Sequence, residues 1–180
     1  MPVPDRELEK FLAGVERRAF HMARIATRID AEALDLVQEA MLSLVKNYRH
    51  KASAEWPALF MRILQNKILD WHRKQTRQRS WLFFRKIADS NEDTEDILEH
   101  IPDTVDRNPA LLLERARDMA TVEQALAALP TRQQQAFMLR IWEGLDVASC
   151  AHIMGCSEGS VKTHLFRAMQ SLRAALGEPA

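Results

Sequence analysis

Lys162, Thr163, Phe166 and Arg167 fall on one strip of a short helical pattern, joined there by Gly159 and Gln170, when successive residues are set about 100° apart. A cation, a hydroxyl, an aromatic ring and a guanidinium in one row suit the edges of bases and the phosphates of a duplex groove. The opposite side of the same pattern carries Val161, Leu165, Ala168 and Leu172, an apolar stripe that must be buried. A polar outer face on any helical hairpin satisfies the same spacing. An aromatic facing water between two cations is the feature that favours a partner.

The elements needed to position that strip lie just before it. Val147, Cys150, Ala151 and Met154 have the i, i+3, i+4, i+7 spacing of a helix face. Gly155 follows, a residue suited to the left-handed turn that ends a helix. Ser157 is placed to cap the next helix with its hydroxyl. Two short helices joined by a tight turn, with the reading strip on the second, describe a helix-turn-helix.

The chain has 180 residues, 47% of them hydrophobic, and only 5 glycines. Long 3.6-periodic segments predict an all-α protein of two small helical domains. Lys and Arg total 25 against 25 Asp and Glu, so the net charge is zero. The charges are unevenly placed: residues 1–80 hold 15 basic and 10 acidic side chains, residues 81–118 hold 5 and 10, and residues 119–180 hold 5 and 5. Three blocks of different sign imply a different partner for each. Cys150 and Cys156, the 2 cysteines, sit at apolar positions and read as small core residues in a reducing compartment. With His152 alone between them they make a poor zinc site, so no metal and no cofactor is expected. No signal peptide and no apolar run near 18 residues is apparent, and the expected location is the cytoplasm with no membrane insertion.

Residues 5–28 predict a first amphipathic helix on Leu8, Phe11, Leu12, Val15, Phe20, Met22 and Ile25. Residues 31–48 predict a second, burying Leu34, Val37, Met41, Leu44 and Val45 and turning Asp35, Gln38, Glu39 and Ser43 outward. That polar, acidic outer face suits a protein partner better than DNA. After a loop at 49–55, where Ser53 is placed to cap and Pro57 is tolerated in the first turn, a long helix is predicted from Trp56 to about Gln78. It buries Leu59, Phe60, Ile63, Leu64, Ile68 and Trp71. Its outer side carries Arg62, Lys67, Arg73, Lys74, Arg77 and Arg79 with Asp70 as the one acid. Cations with rings nearby suit melted or single-stranded DNA, although a basic helix face is also a common solvated face.

Residues 81–110 predict an acidic linker punctuated by Pro102 and Pro109, with Trp81, Phe83 and Phe84 at its start. Helical spacing resumes from Pro109 to Leu129, and Thr131 with Gln134 is a candidate capping box for a helix on Phe137, Met138 and Ile141. The predicted domains are therefore 1–80 and 111–180, joined by the linker.

These residues resemble a known family. The run from Leu129 to Leu176, which opens LPTRQQQAF and includes GCSEGSVKTHLFRAM, looks like region 4 of bacterial sigma-70-type transcription factors. The run DLVQEAMLSLVKNY with WPALFMRILQNKILDWHRKQTR looks like their region 2. Two motifs in this order, with a short acidic strap between them, resemble the extracytoplasmic function (ECF) group. The resemblance implies a sigma factor that directs core RNA polymerase to promoters and makes no covalent chemistry. It implies that Asp35, Leu36, Gln38 and Glu39 dock on the clamp helices of the polymerase β′ subunit, with the β subunit as a further contact. It implies that Asn66, Lys67, Asp70, Arg73 and Arg77 engage the −10 element, where a flipped base is captured. Lys162, Thr163, Phe166 and Arg167 align with residues facing the −35 element. The strap would thread toward the RNA-exit path, and an anti-sigma factor is an implied partner. Leu59-Phe60 departs from the Trp-Leu pair common in the family, and Cys150-Ala151 from its usual apolar-Ala pair.

A repressor or response-regulator output domain would use the same helix-turn-helix without polymerase. That reading leaves residues 31–78 without a role. A nuclease would need clustered carboxylates or a histidine site, and the acids here lie in the strap without ligand spacing.

Overall fold

A computed structural model of the chain describes residues 5–86 and 119–177, and every regular element among them is helical. Helix α1 spans Asp5–Thr27 and buries Leu8, Val15, Ala19, Met22, Ala23 and Ala26. Helix α2 spans Asp30–Tyr48, and α3 spans Trp56–Lys86, past the expected end near Gln78. The expected reach of Trp81, Phe83 and Phe84, the strap beyond Lys86 and the first turns after Pro109 lie outside what the structure describes at side-chain level.

The buried face of α2 is turned from the expected one. It consists of Ala33, Leu36, Val37, Ala40 and Leu44, while Leu34 stays exposed and Met41 and Val45 are only half-buried. Small Ala33 and Ala40 are fully buried, as are Ala19 and Ala23 of α1, so the two helices pack through alanines. A pattern weighted by large apolar residues overlooks such a seam.

Trp56 and Phe60 are fully buried at the start of α3, with the Phe11 ring 5.9 Å from Trp56 and 6.2 Å from Phe60. The Trp56 indole donates to the Tyr48 carbonyl at 3.2 Å, which ties the end of α2 to the start of α3. Met61, Leu64 and Ile68 continue the core, whereas Leu59, Ile63 and Trp71 are half-buried. Ser53 does not cap with its side chain. It opens a 3-10 turn, Ser53–Glu55, whose backbone carbonyl accepts the Trp56 N–H.

The second module begins with α4, Met119–Ala128, followed by α5, Thr131–Phe137. The capping box does not form: Pro130 occupies the N-cap without a side-chain bond. Gln134 instead turns inward, buried, and donates to the Leu126 carbonyl at 2.9 Å. Helix α5 widens into a π turn at Met138–Trp142, where the Glu143 N–H reaches the Met138 carbonyl. Helix α6, Val147–Met154, and α7, Glu158–Ala175, complete the module.

The α6–α7 turn follows the expected chemistry. Gly155 takes φ 64° and ψ 40°, a conformation that costs an L-residue about 1–2 kcal/mol. Ser157 caps α7 by accepting the Ser160 N–H at 3.1 Å. An unexpected cap opens α6, where Asp146 accepts the Ser149 N–H at 2.7 Å. That bond holds the Asp146 carboxyl below the usual range.

The two modules touch. Helix α1 meets α4, and α3 meets α5 and α6.

Candidate nucleic-acid interface

Val161, Ala168 and Leu172 anchor α7 in the core, which fixes what its outer side presents. Lys162, Gly159 and Gln170 are exposed, and Thr163, Phe166 and Arg167 are half-buried at the edge of the same strip. Phe166 is therefore not the freely exposed ring expected, and Leu165 packs beside the core without being sealed in it. The Thr163 hydroxyl donates to the Gly159 carbonyl at 3.0 Å.

Two residues that the sequence reading passed over shape this strip. Arg132 donates to the Met154 carbonyl at 2.8 Å and to Gln135 Oε1 at 3.2 Å, so it braces the end of α6 just before the turn. His164 has its pKa lowered, first by burial and then by the Arg132 and Arg167 charges. It is neutral near pH 7. A lowered histidine favours the folded state above the unfolded value of about 6.5 and loses that contribution as pH falls through the folded value. The second module is expected to become less stable below about pH 6.5, with His164→Gln flattening part of that slope. Thermal melts across pH 5–8 of the two proteins read it, and parallel curves would contradict the assignment.

The strip on α3 is a single helical row. Asn66, Asp70, Arg73 and Arg77 are all exposed at i, i+4, i+7 and i+11, and Arg62 stands one turn earlier. Arg73 is 3.3 Å from Asp70, an exposed pair that orients the guanidinium more than it stabilises the helix. His72, between them in sequence, has its pKa lowered by burial and adds no charge at neutral pH. Lys67 is half-buried and pairs with Glu39 of α2 at 2.9 Å. The Trp71 indole donates to Glu32, also on α2, at 2.8 Å.

On α2, Asp35, Gln38 and Glu39 are exposed as expected. Leu36 is not: at 8% exposure it belongs to the core, because the buried face is turned toward Ala33 and Ala40. The large apolar residues that do face outward are Leu34, 45% exposed, and Leu42, 69% exposed. They lie on the row of Gln38, at i−4 and i+4. The signal was present in the leucine spacing, but these positions were assigned to the core or passed over. The structure thus joins the acidic row of α2 to the basic row of α3 through Glu39 and Lys67, and it keeps the α7 strip on the other module.

Chemistry of another kind finds little footing among the described residues. No group of three or more His, Cys, Asp or Glu is placed to hold a metal ion there. Cys150 is buried and its thiol pushed up to about 11, chiefly by desolvation, so it is not a thiolate at neutral pH. Cys156 is half-buried and unbridged. No described helix is long and apolar enough to cross a membrane.

Comparison with known proteins matches both modules. Residues 9–78 match the family model described as Sigma-70 region 2, and residues 119–172 match that described as Sigma-70, region 4. The chain is 31% identical over 164 residues to the ECF RNA polymerase sigma factor SigF of Caulobacter vibrioides, covering 89% of this chain and 79% of that one. It is 28% identical over 155 residues to the ECF RNA polymerase sigma factor BldN of Streptomyces coelicolor, where it covers 83% of this chain but spans only 53% of that relative. Among solved structures, the co-crystal of the sigma factor RpoE with the anti-sigma factor NepR from Bartonella quintana aligns with a TM-score of 0.66 at 21% identity. That alignment covers 97% of this chain and 98% of the other. At that identity it speaks to the fold.

Proposed function

The chain belongs to the sigma-70 family of RNA polymerase sigma factors, in its extracytoplasmic function group, and we propose on that footing a division of labour among its faces. The outer row of α2 docks on core RNA polymerase through Asp35, Gln38 and Glu39, with Leu42 and Leu34 as apolar anchors. The row Asn66, Asp70, Arg73 and Arg77 engages the −10 element, and Lys162, Thr163, Phe166 and Arg167 engage the −35 element. The protein carries out no covalent step. It supplies sequence recognition and helps open the duplex, working with polymerase in the cytoplasm and on the nucleoid under the control of an anti-sigma factor.

The observation that carries this reading is the pairing of two strips of different chemistry on separate helical modules. The α3 row, basic with one acid, suits phosphates and splayed bases of melted DNA. The α7 strip, on a capped helix-turn-helix, suits a major groove. A repressor using α7 alone would leave the α2 and α3 rows idle.

Glu39 links two of these roles. While it pairs with Lys67, that lysine is occupied; a polymerase group that takes Glu39 releases the ammonium beside the −10 row. Two substitutions test the docking face. Leu42→Asp is expected to weaken binding to purified core polymerase at least tenfold, since it places a charge in an apolar contact, while leaving the melting curve unchanged because Leu42 is 69% exposed. Glu39→Ala is expected to weaken it less. Unaltered affinity in both variants would remove α2 as the docking face.

A further inference from the structure

Helix α1 carries a line of charge that none of the faces above uses. Arg6, Lys10 and Arg17 fall within about 40° of one another round the helix. All three are exposed, on the side away from the buried Leu8, Val15 and Ala19. Farther along the same line, Arg24 pairs with Glu123 and Arg28 donates to the Ala127 carbonyl, so the second module takes up those two. Arg6, Lys10 and Arg17 form no ion pair among the described residues. Glu7, Glu9 and Glu16 stand about 80–100° off the line. Between the cations lie only Ala13 and Gly14, while Phe11 and Leu12 pack against the core.

That composition selects a partner. A protein interface needs aromatic or aliphatic anchors at its centre, and a helix lying on a membrane needs Leu, Phe or Trp on its inserted side. The line has neither. It offers spaced positive charge on a low ridge of small residues, which fits a regular row of phosphates. From Arg6 to Arg17 it runs about 16 Å along the helix axis, the length of about five phosphates on one strand of a duplex. Nothing lies within 4 Å of where a Gly14 side chain would stand. Gly14 also borders a groove of about 420 Å³, with Glu7, Lys10, Arg18 and Ser53 at its sides and Phe11 and Trp56 beneath. A sugar-phosphate strand can therefore lie close to the helix backbone there.

We propose that Arg6, Lys10 and Arg17 form a third DNA contact, a sequence-independent seat for duplex phosphates on the module that carries the α3 row. Helix α1 packs against α3, so DNA held by that row passes near the line. Which DNA reaches it rests on the promoter reading above, while the contact itself stands on the charge and shape of α1. Cations on phosphates fix position and carry no base information, so the seat adds grip to the first module without adding to its choice of sequence.

Salt dependence tests it in holoenzyme reconstituted from core RNA polymerase and the full chain. Binding is measured to a promoter duplex, and to the same duplex with both elements scrambled, between about 50 and 200 mM salt. Replacing the three cations together, Arg6→Gln, Lys10→Gln and Arg17→Gln, is expected to shrink the slope of log K against log salt by about two to three units on both duplexes, since each phosphate contact contributes about 0.9. Affinity at about 0.1 M salt falls at least tenfold. Gly14→Glu sets an acid one turn from Lys10 and Arg17, and is expected to weaken binding to both duplexes about threefold or more. Its melting temperature holds or rises, because glycine is the weaker helix former, so misfolding does not explain the loss. Gly14→Ala binds as wild type does. An unchanged slope for the triple variant on both duplexes overturns the contact. So does a loss seen only in binding to core polymerase, with holoenzyme slopes unaltered, which gives the line to a protein partner. Wild-type holoenzyme that does not prefer the promoter counts against the promoter reading, while the slope on the scrambled duplex still decides the α1 line.

Discussion

Trp56→Ala is expected to lower the melting temperature of the first module by roughly 15 °C or more, leaving it partly unfolded at 37 °C. Trp56 is fully buried and touches the Phe11 ring, and its indole holds the Tyr48 carbonyl at 3.2 Å. Removing a buried tryptophan costs about 3–5 kcal/mol through lost transfer energy and a cavity. Leaving the Tyr48 carbonyl unpartnered adds to that. A module of this length has little to spare against such a loss, and each kcal/mol shifts the midpoint by about 4–8 °C. Circular dichroism melting of the variant checks it, with Pro57→Ala, on the exposed side of the same turn, as the comparison. A fall of less than about 4 °C for Trp56→Ala would show that the α2–α3 junction is held by something else.

Arg167→Ala is expected to reduce discrimination between matched and scrambled −35 sequences by about 1–3 kcal/mol, or five- to 150-fold, the value of a bidentate guanidinium contact with a base. Lys162→Ala is expected to weaken binding to both sequences alike and to lessen the salt dependence by about one unit of slope, as loss of a phosphate contact does. Arg167→Lys is not expected to restore discrimination, since an ammonium cannot offer the planar fork. The measurement is run-off transcription with core polymerase at several salt concentrations on paired templates. Equal discrimination by wild type and Arg167→Ala removes the base contact from Arg167.

Where local chemistry decides, the structure was legible from residues alone. Gly155 and Ser157 marked the turn of the helix-turn-helix because a left-handed glycine and a hydroxyl cap satisfy backbone groups at that point whatever surrounds them. The α3 row was legible because its register is set by large buried residues such as Phe60 and Leu64. The spacing of α2 places Leu34 inside, where the structure exposes it, and the resemblance gives Leu36 a docking role, where the structure buries it. Alanines make that seam, and alanine carries little weight in a hydrophobic pattern. Thr131 and Gln134 matched a capping box by spacing, yet the Leu126 carbonyl claimed Gln134, a partner only the packed fold supplies.

The seam between modules was the least legible part. Nothing in the local spacing singles out the Arg18–Glu143 and Arg24–Glu123 pairs. Their pairing spans about a hundred residues or more of sequence, and no local rule joins positions so far apart. The same holds for Glu39 and Lys67, separated by 28 positions and assigned by resemblance to different partners. Long-range polar contacts of this kind depend on tertiary placement, which periodicity does not encode.

The most direct test of the central claim is transcription from one promoter in four forms: intact, −10 scrambled, −35 scrambled, and both scrambled, with core RNA polymerase in the presence or absence of this chain. A defined start is expected only when the chain is present and both elements are intact, with loss of product when either the Asn66/Arg73 row or the Lys162/Arg167 strip is replaced by alanine. The same starts without the chain, or starts that survive removal of both strips, would contradict it.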